Sequence, residues 1–181
     1  MKSDLSAQID APTGITITSP GPNEIQVKGP SGEVRRRFFD PKINIHAKGN
    51  CATLQAPNST RKEKARLNSY IAHIQNMLTG VVRPHEYRLK ICSGHFPMNV
   101  TASGGFLSVK NFLGEKIART CPIPTEVQVK VEGDKISVTC PDLELAGQTA
   151  SSIEQLMRIT NRDKRVFQDG IYITKKPGEE S

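Results

Sequence analysis

The segment Val27-Lys28-Gly29-Pro30-Ser31-Gly32-Glu33 returns later in the chain as Val109-Lys110-Asn111-Phe112-Leu113-Gly114-Glu115, with Val, Lys, Gly and Glu matched in order. A second match follows, because the run from Ile43 to Asn50 is echoed by the run from Val127 to Asp134. The spacing between the two copies, from Val27 to Val109, exceeds the period of solenoid repeats, which is roughly 20–50 residues. The sequence therefore predicts a duplicated unit of β-strands and a helix, with the two copies in tandem.

Each copy contains a predicted β-hairpin, because apolar and polar residues alternate on both sides of a two-residue turn signal. In the first copy the turn is Gly49-Asn50, and the apolar positions are Ile43, Ile45, Ala47, Ala52, Leu54 and Ala56. In the second copy the turn is Gly133-Asp134, and the apolar positions are Val127, Val129, Val131, Ile136, Val138 and Cys140. One face of each hairpin is apolar, so a helix is expected to cover it.

A helical pattern follows each hairpin. In the first copy Thr60 and Glu63 form a capping box, and Gly80 is expected to end the helix. In the second copy the pattern begins after Asp142. Gly147 is expected to destabilise this helix by about 1 kcal/mol relative to alanine. The predicted fold class is α+β, with two tandem homologous domains at residues 1–82 and 83–181. Each domain is an antiparallel β-sheet with one helix packed on one face.

The remaining segments are simpler. Residues 1 to about 12 are polar and are expected to be loose, whereas 15–18 and 24–28 alternate as strands do. Gly104-Gly105 is expected to be a hairpin turn.

The composition favours an anionic partner. The chain has 181 residues and a formal net charge of +7, and nucleic acid is the commonest partner of such a protein. The sequence contains no HExxH, GxSxG, Walker or GxGxxG motif, and its histidines and cysteines lack metal-ligand spacing. We therefore expect no enzyme activity, cofactor, metal, small-molecule substrate or membrane span. The first six residues also lack the apolar core of a signal peptide.

The four cysteines, Cys51, Cys92, Cys121 and Cys140, are expected to be reduced thiols in the cytosol, because none forms a CxxC motif. An alternative stays open. The even cysteine number and two sequons, Asn58-Ser59-Thr60 and Asn99-Val100-Thr101, would also fit a secreted, disulfide-bearing, β-rich adhesion module.

Two segments are strongly basic. On the first helix, Arg61, Lys62, Lys64 and Arg66 form either a solvated face or phosphate contacts. The stronger candidate is the segment 161–176, which combines basic residues with an exposed-looking Phe167 and a tight Asp169-Gly170 turn. Cationic side chains neutralise phosphates, and aromatic rings stack on bases. The alternative is a terminal hairpin in which Phe167 and Tyr172 only cap the second core. The predicted RNA-binding residues are Arg162, Lys164, Arg165, Phe167, Gly170, Tyr172, Lys175 and Lys176, followed by Lys110, Lys116 and Arg119.

The run Arg165-Val166-Phe167-Gln168-Asp169-Gly170-Ile171-Tyr172 resembles the C-terminal signature of the universal large-subunit ribosomal protein six family, called protein nine in eukaryotes. Three further runs are similar to family motifs in the same order along the chain: Met77 to Val81, His95 to Val100 and Val109 to Lys116. The residues in these motifs are similar to those of the archaeal and eukaryotic branch of the family, and they favour a eukaryotic source.

The resemblance implies a two-domain structural constituent of the large ribosomal subunit. Such a protein binds large-subunit rRNA close to the sarcin–ricin loop and the stalk base, beside other large-subunit proteins, where translation factors dock. Its expected place is the cytoplasmic ribosome, and the nucleolus during assembly if the source is eukaryotic. A free cytosolic RNA-binding chaperone would use the same chemistry, so that alternative also stays open.

Overall fold

The computed structural model describes residues 3–48 and 50–179, and the chain forms two compact units, residues 1–84 and 85–181. We call them unit 1 and unit 2. Gly49, the first residue of one predicted turn, lies outside the described residues.

Unit 1 combines two antiparallel three-stranded sheets with one long helix. The sheets have the strand orders β1-β6-β5 and β2-β3-β4. The elements are β1 (Ser3–Asp10), β2 (Thr16–Thr18), β3 (Glu24–Gly29), β4 (Gly32–Arg37), β5 (Asn44–Lys48), β6 (Cys51–Ser59) and α1 (Arg61–Val82). The expected strands and the first hairpin are confirmed.

The N-terminal segment is a strand, so the prediction of a loose segment was wrong. β1 pairs with β6 from Ser3↔Ser59 to Asp10↔Cys51. Leu5, Ala7 and Ile9 pack against the core of unit 1 at every second position. These residues do alternate with Ser6, Gln8 and Asp10 as in a strand, but the polar composition of the segment as a whole favoured a loose one.

The predicted start of α1 is confirmed, whereas the predicted end is wrong. At the start, the Thr60 backbone N–H donates to Glu63 Oε2 at 2.9 Å, and the reciprocal bond of the capping box is also present. At the other end the helix continues through the buried Gly80 to Val82.

The repeated segment shapes the end of α1. The backbone N–H of Ser31 donates to Val81 O at 2.9 Å, and the Ser31 hydroxyl donates to Val82 O at 2.9 Å. These bonds satisfy carbonyl groups that a helix end leaves unpaired. A Cβ on Gly29 would lie 2.9 Å from Val81 O, so only glycine permits this approach of strand and helix.

Unit 2 also combines two antiparallel sheets with one helix. The sheets have the orders β10-β9-β8 and β11-β12-β7-β13. The strands are β7 (His85–Cys92), β8 (Asn99–Ser103), β9 (Phe106–Lys110), β10 (Arg119–Pro122), β11 (Gln128–Glu132), β12 (Lys135–Cys140) and β13 (Gly170–Lys175). A 3₁₀ turn spans Phe112–Gly114, and α2 spans Leu143–Leu156. The predicted turn at Gly104-Gly105 is confirmed, since both residues have positive φ angles, 60° and 79°.

Helix α2 begins as expected, with the Asp142 carboxylate accepting the Glu144 backbone N–H at 2.9 Å. Gly147 has a packing role that the sequence did not reveal. A Cβ at this position would lie 2.9 Å from the Tyr87 hydroxyl, so the residue leaves room for the Tyr87 ring.

The α+β class with two repeated units is confirmed. In the described residues each unit has two sheets where one was expected, because alternation along a strand does not say which strands pair. The apolar residues of each hairpin and helix meet in a separate core within each unit.

Candidate nucleic-acid interface

Asp169 is a buried carboxylate at the base of the candidate site. Its side chain is 3% exposed and accepts the backbone N–H groups of Gly94 and His95. His95 Nδ1 lies 2.6 Å from Asp169 Oδ2 and completes the set. Burial raises the pKa of the Asp169 carboxyl, but these hydrogen bonds outweigh burial and hold the pKa below its usual value. Asp169 is therefore an ionised anchor.

The predicted tight turn at Asp169-Gly170 was wrong. Asp169 turns inward to loop 93–95, and β13 begins at Gly170 and pairs with β7. The turn lies earlier, where the carbonyl oxygen of Asp163 accepts the N–H groups of Val166 and Phe167 at 3.1 and 2.9 Å. Asp-Gly is a common turn signal, but a buried hydrogen-bonding partner overrides it here.

Three planar groups stack above the Asp169 anchor. The His95 and Phe167 ring centroids are 4.8 Å apart with an interplanar angle of 22°. Arg162 Cζ lies 4.8 Å from the centroid of the Phe167 ring. Phe167 is half-buried against the core of unit 2, where an exposed ring was expected. The ring thus caps the core and supports Arg162 at the same time.

The 163–166 turn presents two cations to solvent. Lys164 is exposed, and the side chain of Arg165 is 90% exposed. Arg165 Nη2 lies 2.8 Å from Asp163 Oδ2, and the Arg165 backbone N–H donates to Asp163 Oδ1 at 2.9 Å. Exposed ion pairs of this kind contribute little to stability, so Arg165 can exchange Asp163 for another anion.

The Tyr172 ring packs closely against Gly170. A Cβ on Gly170 would lie 3.2 Å from the Tyr172 ring, so glycine makes room for that ring. The Tyr172 hydroxyl donates to Gln168 O at 3.2 Å, and the residue is 43% exposed. At the end of the same strand Lys175 is half-buried and Lys176 is exposed.

The second group of predicted residues divides into two kinds. Lys110 and Lys116 are exposed. Arg119 is engaged within unit 2, where it donates to both Glu115 oxygens at 2.8 and 2.6 Å and to Leu156 O at 2.7 Å. Its guanidinium also lies 4.4 Å from the centroid of the Phe112 ring. Arg119 therefore ties the 3₁₀ turn to the end of α2.

Part of the predicted set surrounds one groove. This groove has a volume of about 330 Å³ and is lined by residues that include Lys164, Phe167, Gly170 and Tyr172. Sequence reasoning missed His95 as a member of the site, although His95 opens one of the quoted motifs. Its partner Asp169 is distant in sequence, so only the fold shows the pairing.

The described residues give little support to metal binding or to disulfide bonds. They contain no group of His, Cys, Asp or Glu side chains that could hold a metal ion. All four cysteines have free thiols. Across residues 3–48 and 50–179, no helix has both the length and the apolar composition needed to cross a membrane.

Comparison with known proteins defines the class. The family model for ribosomal protein L6 matches residues 11–83 and 96–170, one match in each unit. The chain belongs to this family of large-subunit ribosomal proteins.

Relatives in archaea match nearly the whole chain, and each carries the name large ribosomal subunit protein uL6. The protein of Methanocella arvoryzae is 41% identical over 97% of this chain and 99% of its own length. That of Sulfurisphaera tokodaii is 43% identical over 95% and 92% of the two chains. That of Natronomonas pharaonis is 36% identical over 96% and 97%.

Family membership confirms the resemblance in the sequence and gives the general role. The protein is a constituent of the large ribosomal subunit, with rRNA and other ribosomal proteins as partners, and the family is structural rather than enzymatic. The alternative of a secreted adhesion module has no support from these matches or from the free thiols.

Proposed function

We propose that the chain binds large-subunit rRNA near the sarcin–ricin loop and the stalk base, and supports the region where translation factors dock. The contact is the 162–176 surface of unit 2, formed by Arg162, Lys164, Arg165, Lys175 and Lys176, with Lys110 and Lys116 as further contacts. The place in the rRNA rests on the resemblance of residues 165–172 to the family signature. The chemistry rests on the geometry of unit 2. In a eukaryotic source the protein would pass through the nucleolus during assembly.

One observation carries the chemistry, namely the chain of contacts from Asp169 through His95 and Phe167 to Arg162. A basic segment that must order itself on binding loses part of its affinity to conformational entropy. Here a buried carboxylate and a ring stack hold the segment before RNA arrives. The arrangement supports a preformed binding surface.

Recognition on this surface would depend on RNA shape and phosphate positions. The exposed groups are cations, which position a protein on a nucleic acid backbone and carry little base-sequence information. Phe167, Gly170 and Arg119 act indirectly in this proposal. Phe167 supports Arg162, Gly170 leaves space for Tyr172, and Arg119 braces the end of α2.

Residence in the ribosome can be tested by sedimentation of the tagged protein from cell lysate, before and after a high-salt wash. We expect the protein to migrate with large subunits and polysomes and to resist the wash. Recovery only in light fractions would reject this function and would favour a free RNA-binding chaperone.

The location can be tested by directed cleavage of rRNA. An iron chelate is attached to a cysteine introduced as Arg162→Cys, in a background with Cys51→Ser and Cys92→Ser. The expected result is strand cleavage in and around the sarcin–ricin loop within assembled large subunits. The matched control is Gln148→Cys, an exposed position on α2. Cleavage confined to another rRNA region from position 162 would contradict the proposed location.

A further inference from the structure

Unit 1 carries an aromatic side chain at its surface that its own packing does not explain. Phe39 is 80% exposed, whereas the adjacent Phe38 is 4% exposed and lies 4.7 Å from the Tyr70 ring, centroid to centroid. Isolated exposed apolar residues are common, so exposure alone says little. The surroundings of Phe39 are more informative.

The backbone that carries Phe39 is held firmly. The next residue, Asp40, has a side chain that is 2% exposed and accepts from Arg66 Nη1 and from the Lys42 backbone N–H, both at 2.9 Å. The Asn23 side chain donates to Asp40 O at 3.3 Å. The Phe39 ring is therefore presented from a fixed position, as a stacking platform requires.

One cation contacts the Phe39 ring, and others lie on the segments next to it. Arg37 Cζ lies 5.1 Å from the centroid of the Phe39 ring. Lys42 Nζ lies 3.1 Å from Glu63 Oε1, which fixes the 39–42 segment against the first turn of α1. Arg61, Lys62 and Lys64 lie exposed in that turn and the next.

The acidic residues at this place are already engaged. Glu63 and Asp40 are buried, and each is paired with a cation. No ion pair joins Arg61, Lys62 or Lys64 to an acidic residue in the described part of the chain. The segments 37–42 and 61–66, which the Lys42–Glu63 and Arg66–Asp40 pairs join, therefore carry an excess of positive charge. We call Arg37, Phe39, Lys42, Arg61, Lys62 and Lys64 the Phe39 patch.

We propose that the Phe39 patch is a second RNA contact, in which an unpaired base stacks on the open face of Phe39 and neighbouring phosphates meet Arg61, Lys62 and Lys64. Stacking on an aromatic ring beside a cationic path is the usual way to hold single-stranded RNA. A protein partner fits this surface less well, because lysine is depleted at protein–protein interfaces and three residues of the patch, Lys42, Lys62 and Lys64, are lysines. The proposal rests on the proposed function, because the RNA is the large-subunit rRNA, and it assigns unit 1 a contact of its own.

The first test measures the affinity of the intact chain for deproteinised large-subunit rRNA across a range of salt concentrations. Phe39→Leu keeps an apolar side chain but removes the ring, and base stacking of ordinary strength predicts a loss of about tenfold. The salt slope should not change, because no charge is removed. Phe39→Trp should restore the affinity. The double variant Lys62→Gln/Lys64→Gln should instead flatten the slope, by up to about 1 per lost phosphate contact.

The second test identifies the occupant in cells. A photoreactive benzoylphenylalanine replaces Phe39, and Gln75 is the matched control because it is exposed on α1 about 16 Å further along the helix than Lys64. Ribonuclease-sensitive cross-linking at position 39 but not at 75 is the expected result. A cross-link to a protein, or none, would overturn the proposal.

The two proposals fail differently. If Arg162→Gln/Lys164→Gln/Arg165→Gln weakens RNA binding while Phe39→Leu binds like the wild type, the Phe39 patch is not an RNA contact and the proposed function stands. If all these variants bind like the wild type, the proposed function is wrong as well.

Discussion

The main difference between the two units is one strand. The sheet β1-β6-β5 of unit 1 corresponds to β7-β12-β11 of unit 2, because the matched hairpins are β5-β6 and β11-β12. Unit 2 adds β13 beside β7. This added strand and the segment before it carry the family signature and most of the candidate RNA contacts. The duplication therefore built two similar cores, and an addition after the second helix provides the proposed binding surface.

The buried aspartates show a second difference. In unit 1, Asp40 pairs with Arg66 and the neighbouring Phe39 stays exposed. In unit 2, Asp169 pairs with His95, and Phe167 stacks on that same histidine. Unit 1 thus fixes a backbone and leaves its ring open, whereas unit 2 includes its ring in a preformed stack. The two surfaces are expected to bind RNA in different ways.

The largest expected effect is that of Asp169→Ala. The change leaves the Gly94 and His95 donors without their acceptor, so we expect the free energy of unfolding to fall by about 3 kcal/mol. Urea denaturation followed by circular dichroism measures it. Asp163→Ala is the control, because its ion pair is exposed and its loss should change stability little. Equal effects of the two variants would contradict the anchoring role of Asp169.

Gly29→Ala tests the close approach of strand and helix in unit 1. The new Cβ would lie 2.8 Å from Val81 Cγ2 and 2.9 Å from Val81 O, and the backbone oxygen cannot easily move. Overpacking of this kind costs about 2 kcal/mol. Thermal and urea denaturation should show the loss. A variant as stable as the wild type would mean that the strand can shift away from the helix.

Gly147→Ala is the counterpart in unit 2, with a smaller expected effect. Alanine should favour the helix by about 1 kcal/mol, but its Cβ would meet the Tyr87 hydroxyl at 2.9 Å. We expect a net loss of about 1 kcal/mol. Combining Gly147→Ala with Tyr87→Phe should recover the helix gain relative to Tyr87→Phe alone. Stabilisation by Gly147→Ala in the otherwise native chain would refute the packing role.

A further expected effect concerns the pH dependence of the stability of unit 1. Hydrogen bonds from the Thr60 hydroxyl and N–H and from Lys42 lower the pKa of Glu63 to about 2, from 4.5. The folded state then binds fewer protons than the unfolded state, so stability falls as the pH falls from about 4.5 to about 2. Denaturation of the wild type and Glu63→Gln at several pH values measures this. The variant should show a shallower decline, and parallel curves would contradict the assignment.

Local sequence patterns predicted the local structure well. Both hairpins, the capping box at Thr60 and the Gly104-Gly105 turn follow from residues close in sequence. The errors arise where distant residues decide. β1 is a strand because β6 pairs with it, and Gly147 is present because Tyr87 packs against it.

The candidate site shows the same limit. The cations of segment 161–176 could be identified from composition and from the family signature. The inward position of Asp169 could not, because its partners Gly94 and His95 lie far away in sequence and Asp-Gly ordinarily indicates a turn. Arg119 belongs to the second group of predicted residues, and only the fold shows its contacts with Glu115 and Leu156.

The most direct test of the account is the salt dependence of rRNA binding by the wild type and by Lys164→Gln/Arg165→Gln. The control, Lys130→Gln/Lys135→Gln, removes the same charge from two exposed positions of β11 and β12. We predict weaker binding for the first variant and a salt slope reduced by up to about 1 per lost phosphate contact, with little change for the control. An unchanged slope and affinity for Lys164→Gln/Arg165→Gln would contradict RNA binding by the 162–176 surface.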